Sequence, residues 1–142
     1  MSIDTLRSKA ESVLFQKLAS SPYAAVPVRV ENLPFDQPNA APWFSFYVHP
    51  VDAKRAAIGT EAKFQKHMTM LVVECYAPEN TGTKTLNEMM EFAGDALEES
   101  NYSLSDGDTV VTYTAIPKIN GLQYGFYRGT IMVLAMRRSC KT

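Results

Sequence analysis

Hydrophobic side chains follow two different periods along this chain, and the changes of period predict its helices and strands. Residues 2–19 place apolar side chains at intervals of three and four, which indicates a helix buried on one face. The segment that starts at Thr83 or Thr85 and runs to about Ser100 repeats this pattern. Between and after these two segments, apolar runs that alternate or are continuous indicate β-strands.

The strongest predicted strand is Met68–Tyr76, which is apolar on both faces at its centre and ends before Pro78. Such a strand is typical of the middle of a sheet that is covered on two sides. The other predicted strands are residues 26–30, 43–48, 109–116 and 122–137. The order α-β-β-β-α-β-β predicts an α+β fold, with one mainly antiparallel (mixed) sheet of about five strands packed with two α-helices. An Asn120-Gly121 hairpin turn is expected before the last strand.

Length and composition favour a single domain over residues 1–142. The chain has 46% hydrophobic and 20% charged residues, as globular proteins do. It contains no apolar run of ~18 residues that would span a membrane, and its first residues do not resemble a signal peptide. Cys75 and Cys140 are expected to be reduced thiols in a cytoplasmic setting.

The segment between the second and third predicted strands, Val51–Gln65, is expected to be a long loop. Hairpin loops usually hold about 2–5 residues, so a connection of this length is often functional. We expect it to be loose in the free protein and to order against a neighbouring subunit or a partner; a disordered surface excursion is the alternative. Its candidate contact residues are Lys54, Arg55, Ile58, Phe64 and the adjacent Lys66.

Charge is separated along the sequence although the net charge is only −1. Residues 79–108 hold eight acidic and one basic residue, a net −7, and residues 118–142 hold five basic residues and no acidic one, a net +5. The hypothesis is that these regions meet between copies of the chain; simple solubility is the alternative. The candidate contact residues are Glu88, Glu91, Asp95 and Glu98 on the second helix, and Arg128, Arg137 and Arg138 on the last strand.

No catalytic, metal or cofactor motif is present in the sequence. His49 and His67 have no Cys, Asp or Glu at ligand spacing, and there is no phosphate-binding loop or nucleophile elbow. Aromatic and basic residues share the last strand, but a pI near 6.1 argues against nucleic-acid binding. The sequence therefore predicts no catalytic residue, no metal and no cofactor.

Two stretches resemble the tail terminator family of long-tailed bacteriophages, the group similar to the lambda tail terminator. The first is APWFSFYVHP, from Ala41 to Pro50, which precedes a long Gly-bearing segment. The second is MTMLVVECYAP, from Met68 to Pro78, which is followed by Thr81-Gly82-Thr83 and a helix. With the N-terminal helix before them, these features extend the resemblance over nearly the whole chain.

The resemblance implies a structural virion protein and not an enzyme. Family members form a hexameric ring that caps the finished tail tube, stops its polymerisation and presents a surface for head-tail joining. The implied partners are other copies of the chain, the tail tube protein and the head-tail connector protein. DNA would pass through the ring without sequence-specific binding, and assembly would take place in the host cytoplasm. A head-completion or neck protein, a tail-tube subunit, and a small-molecule-binding or enzymatic α+β domain are the alternatives.

Overall fold

The computed structural model describes residues 3–31, 33, 35–38, 41–55, 64–79, 83–105, 107–123 and 125–140. Within these residues the chain forms two helices and seven strands. The elements are α1 (Ile3–Ala19), β1 (Val28–Val30), β2 (Trp43–Arg55), β3 (Phe64–Pro78), α2 (Lys84–Leu97), β4 (Asn101–Ser103), β5 (Thr109–Thr112), β6 (Ile116–Gln123) and β7 (Phe126–Cys140).

One mixed sheet holds all seven strands. Its order is β1-β2-β3-β7-β5-β4, and β6 pairs with β7 beside this path. Only the β1–β2 pair is parallel among these described pairings, and the others are antiparallel. The α+β class is confirmed and β3 is central, but the expected count of about five strands and the order α-β-β-β-α-β-β are wrong.

The extra strands lie where the sequence pattern is short or exposed. Asn101–Ser103, which is not among the strands predicted from the sequence, pairs with β5 as β4. The strand expected over residues 109–116 ends at Thr112, and β6 starts at Ile116. Asn120-Gly121 does not form the hairpin turn, because it lies inside β6 at an irregularity in the pairing with β7. The chain instead reverses between Gln123 and Phe126, beside Gly125 with a φ of 79°.

Both ends of the segment expected to be a long loop are paired strands of the β2–β3 hairpin. Strand β2 continues past Pro50, which lies at a register shift where proline is tolerated. Ala53 pairs with His67, and Arg55 pairs with Gln65. The expectation of a loop over Val51–Gln65 is therefore wrong for its two ends. Residues 56–63, including Ile58, lie outside the described residues.

Both helices pack on one face of the sheet and form the main core there. Alternate residues of the central strands point to this face, as the two-residue period of a strand requires. Gly129 of β7 lets α2 approach closely, because a Cβ at this position would lie 2.3 Å from Sδ of Met90. The core residues of the three longest strands are Phe44, Phe46, Val48, Leu71, Val73, Cys75, Ala77, Ile131, Val133 and Ala135.

Among the described residues no helix lies on the opposite face of the sheet, which has its own aromatic cluster. The rings of Trp43 and Tyr76 stack with centroids 3.8 Å apart, and Phe126 meets both edge-on. Phe35 packs against this cluster from the preceding loop. Trp43 and Phe44 are each 2% exposed, so the first two residues of β2 are covered on both faces of the sheet.

Candidate assembly surfaces

An acidic surface lies on the outer side of α2 and consists of Glu88, Glu91, Asp95 and Glu98. The helix is amphipathic and buries the stripe that includes Leu86 and Met89, so these acidic residues are left on its solvent side. Glu88, Glu91 and Asp95 are exposed, and Glu98 is half-buried. Glu88 forms a loose pair with Lys84 at 3.9 Å, while Glu98 Oε2 accepts a 2.7 Å hydrogen bond from the Ala115 backbone N–H.

A groove runs between α2 and β6, with a volume of about 430 Å³. Three members of the acidic surface, Glu91, Asp95 and Glu98, line its helix side. Ile119 on its strand side is 47% exposed, although it is a large apolar residue. The apolar lining consists of Met90, Ala115, Pro117, Ile119 and Ile131. Lys118 also lines the groove, which therefore combines an apolar floor with a wall of three acidic residues and one basic residue.

A row of three basic residues crosses the sheet at the end far from the aromatic cluster. Lys54 of β2 lies opposite Lys66 of β3, and Lys66 lies opposite Arg138 of β7. Directly opposed residues share one face of a sheet, and like charges placed this way repel each other. We call Lys54, Lys66 and Arg138 the basic row. Of its side chains the structure describes that of Arg138, which is exposed.

The basic row and the acidic surface lie on opposite faces of the sheet. The side chains of Ile131, Val133 and Ala135 in β7 belong to the helix-covered core. Residues alternate between faces along a strand, so Arg138 falls on the helix-free face. An apolar patch lies next to the row on this face. Met68 and Met136 are directly opposed there, and Val111, which is 36% exposed, lies opposite Met136.

Arg137 does not belong to the exposed basic surface that the sequence predicts. It points to the other face of β7, is only 1% exposed, and its Nε donates a 2.7 Å hydrogen bond to Asp108 Oδ2. Burial of an arginine requires such a partner, since an unpaired buried charge is costly. Arg137 therefore ties β7 to the start of β5, and its expected role as a surface contact is wrong.

Arg128 is also engaged within the molecule. Its Nη1 lies 2.9 Å from Oε2 of Glu74, which is only 7% exposed, and Arg29 Nη2 lies 3.9 Å from Oε1 of the same carboxylate. The hydroxyl of Tyr76 donates to Oε2 at 3.2 Å, and burial raises the pKa of this hydroxyl, which keeps it protonated. This ion cluster joins β1, β3 and β7 on the helix-free face.

Two of the remaining predicted contact residues lie at the outer end of the β2–β3 hairpin. Arg55 is the last residue of β2 and Phe64 is the first residue of β3. Their side chains, like those of Lys54 and Lys66, lie outside what the structure describes. Sequence reasoning missed the groove and the Glu74 ion cluster. The two isoleucines within residues 116–119, which are exposed in the structure, were the sequence feature that could have indicated the groove.

The described residues contain no group of three or more His, Cys, Asp or Glu side chains that could hold a metal ion. The Cys75 thiol is fully buried, and burial raises its pKa well above the ordinary value. Neither of the two helices in the described residues is long and apolar enough to cross a membrane.

Comparison with known proteins gives one family. The family model described as phage tail terminator protein matches residues 5–124. A solved structure with 20% sequence identity superposes with a TM-score of 0.72 and covers 96% of both chains, which shows a shared fold. No curated protein sequence matches this chain.

Proposed function

The chain belongs to the phage tail terminator family, and we propose that it forms a ring that caps the finished tail tube. Membership makes it a structural component of the phage tail, and hence of the virion. The proposed ring, hexameric by resemblance to the family, stops tube polymerisation and provides the head-proximal surface for head-tail joining. The observation that carries the proposal is the family match over residues 5–124, which spans the described elements from the first turn of α1 to the end of β6.

The distribution of charge supports a ring built from one repeated contact. A closed ring needs a heterologous interface, in which two different patches of the same chain meet. The acidic surface on α2 and the basic row on the opposite sheet face are two such patches of opposite sign. Of the predicted basic contacts, Arg138 stays in this proposal, and Arg137 leaves it because it is buried.

The β2–β3 hairpin supports a contact with the neighbouring subunit or the last ring of the tube. Its strands are paired as far as Arg55 and Gln65, and residues 56–63 connect them in the sequence. Their sequence includes Ile58, whose burial in a contact contributes roughly 1.5–3 kcal/mol. In this proposal DNA passes through the ring without sequence-specific contacts.

Assembly and tail length test the proposed function. Purified protein, alone and mixed with tail tubes, is imaged by negative stain and weighed by native mass spectrometry. We expect closed rings of one size at tube ends, and overlong tails in particles assembled without the protein. Long open tubes formed by this protein alone would instead identify a tube subunit. Binding to the connector with no effect on tail length would identify a neck protein.

A further inference from the structure

We propose that the groove between α2 and β6 of one subunit receives the basic row of the next subunit. The proposal rests on the proposed ring and names the residues of its repeated contact. Glu91, Asp95 and Glu98 form the acceptor wall, and Lys54, Lys66 and Arg138 are the residues received.

The basic row and the line of carboxylates from Glu91 to Glu98 have about the same length. Neighbouring strands lie about 4.8 Å apart, so the basic row extends about 10 Å across three strands. A helix rises about 1.5 Å per residue, so the seven steps from Glu91 to Glu98 also extend about 10 Å. Three carboxylates and three cations therefore pair one to one when α2 lies along the row.

Each of the two surfaces also carries apolar side chains beside its charged residues. The groove floor beside the carboxylates is apolar and leaves Ile119 of β6 47% exposed. Beside the basic row, the apolar patch formed by Met68 and Met136 lies on the same helix-free face of the sheet. Docking the row into the groove covers both apolar surfaces, and the carboxylates offset the repulsion between the opposed cations.

Reciprocal charge reversal tests this contact. One chain carries Glu91→Lys and Asp95→Lys, which makes both of its surfaces positive. A second chain carries Lys66→Glu and Arg138→Glu, which makes both of its surfaces negative. Each chain alone repels its own copies, and we expect its self-association to weaken about a hundredfold or more.

Mixing the two reversed chains in equal amounts should restore the ring, because each reversed surface then meets a surface of opposite sign. The restored ring must alternate the two chains, so native mass spectrometry should find equal numbers of both. An alternating ring closes only with an even number of subunits, as a hexamer does. Equal composition is a readout that a general loss of stability does not produce.

Two control chains carry the same charge changes outside the contact. Asp36→Lys with Glu79→Lys reverses two exposed carboxylates that lie outside the acidic surface and do not line the groove. Lys17→Glu with Lys84→Glu reverses two exposed lysines on the helices. Both controls should assemble as the wild type does, alone or on tail tubes. Near-UV circular dichroism and melting temperature establish that all four variants are folded.

The remaining outcomes separate this inference from the proposed function. If wild-type protein caps tails but either reversed chain alone also forms rings, the contact is wrong and the function stands. Failure of the folded mixture to restore rings also overturns the contact. If Lys66→Glu with Arg138→Glu abolishes binding of a short DNA duplex and leaves rings intact, the row faces nucleic acid instead. Wild-type protein that neither forms rings nor caps tails overturns both.

Discussion

The buried carboxylate of Glu74 shows how a single residue organises the helix-free face. It contacts Arg29 of β1, Arg128 of β7 and Tyr76 of its own strand, in a region that is otherwise aromatic. A charge at this depth needs such partners, since isolated burial of a carboxylate is expensive. The cluster therefore fixes the alignment of β1 and β7 on β3, as well as satisfying the carboxylate itself.

Replacement of Glu74 by alanine should lower the free energy of unfolding by about 1–3 kcal/mol, because Arg128 and Tyr76 lose their charged acceptor. Urea unfolding measures this loss. Arg29→Ala serves as the matched control, since this arginine lies at 3.9 Å from Glu74 with a side chain 46% exposed. Its removal should cost about 1 kcal/mol or less. Equal losses in the two variants would contradict the assignment of Arg128 as the main partner.

Cys75 should be unreactive in the folded protein, although it is a free thiol. The thiolate is the reactive form, and burial both raises the pKa of this thiol and blocks access to it. In a Cys140→Ser background, alkylation by iodoacetamide at pH 8 should proceed only as fast as the protein unfolds. Mass spectrometry follows the reaction, with urea-unfolded protein as the control. Rapid alkylation without denaturant would show that β3 is accessible in the native state.

At the scale of elements, the packing of α2 on β7 depends on the absence of a side chain at residue 129. A Cβ there would lie 2.3 Å from Met90 Sδ, so Gly129→Ala forces the methionine side chain to move. Overpacking of this kind costs typically 1–3 kcal/mol, and the flexible thioether places the expected cost near 1 kcal/mol. Thermal unfolding of the variant measures it.

A double-mutant cycle separates this clash from a backbone effect. In a Met90→Ala background the cost of Gly129→Ala should fall, which gives a coupling of about 0.5 kcal/mol or more. Gly125→Ala is the control, because Gly125 has a φ of 79° and open space where its Cβ would be. That variant should lose about 1 kcal/mol through backbone strain in either background. A cost of Gly129→Ala that does not depend on Met90 would refute the packing argument.

The sequence predicted the elements whose burial follows one period and missed those whose residues are exposed. Both helices and β3 were predicted because their apolar positions face a core. Strand β6 was missed as a separate element, since Ile116 and Ile119 are 53% and 47% exposed and give no clear alternation. The sequence also assigned Arg137 and Arg138 to one surface, but adjacent strand residues face opposite sides of a sheet.

At the scale of the whole molecule, the candidate assembly surfaces depend on register, which the sequence does not give. Lys54, Lys66 and Arg138 are distant in sequence and become neighbours only through the pairing of three strands. The charge separation between residues 79–108 and 118–142 was visible, but not which residues stay free for a partner. Internal pairs occupy Arg137 and Arg128, which the sequence placed among the surface contacts.

The two strands of the β2–β3 hairpin are paired as far as Arg55 and Gln65. A deletion that starts at Ala53 would remove residues that pair with β3. Replacing residues 56–63 by Asn-Gly instead keeps the pair of Arg55 and Gln65 and closes the hairpin with a short turn. The melting temperature should stay within about 4 °C of the wild type, because no described strand pairing is lost. The shortened protein should no longer cap tails, since it lacks Ile58 and its neighbours, which we propose contact the adjacent subunit or tube.

Tail lengths in assembled particles measure the effect of the replacement. The control is Leu122→Ser, which removes a 66% exposed apolar side chain from the β6–β7 hairpin. Tails of normal length would refute the role of this segment, and a large fall in melting temperature would place the segment in the fold instead.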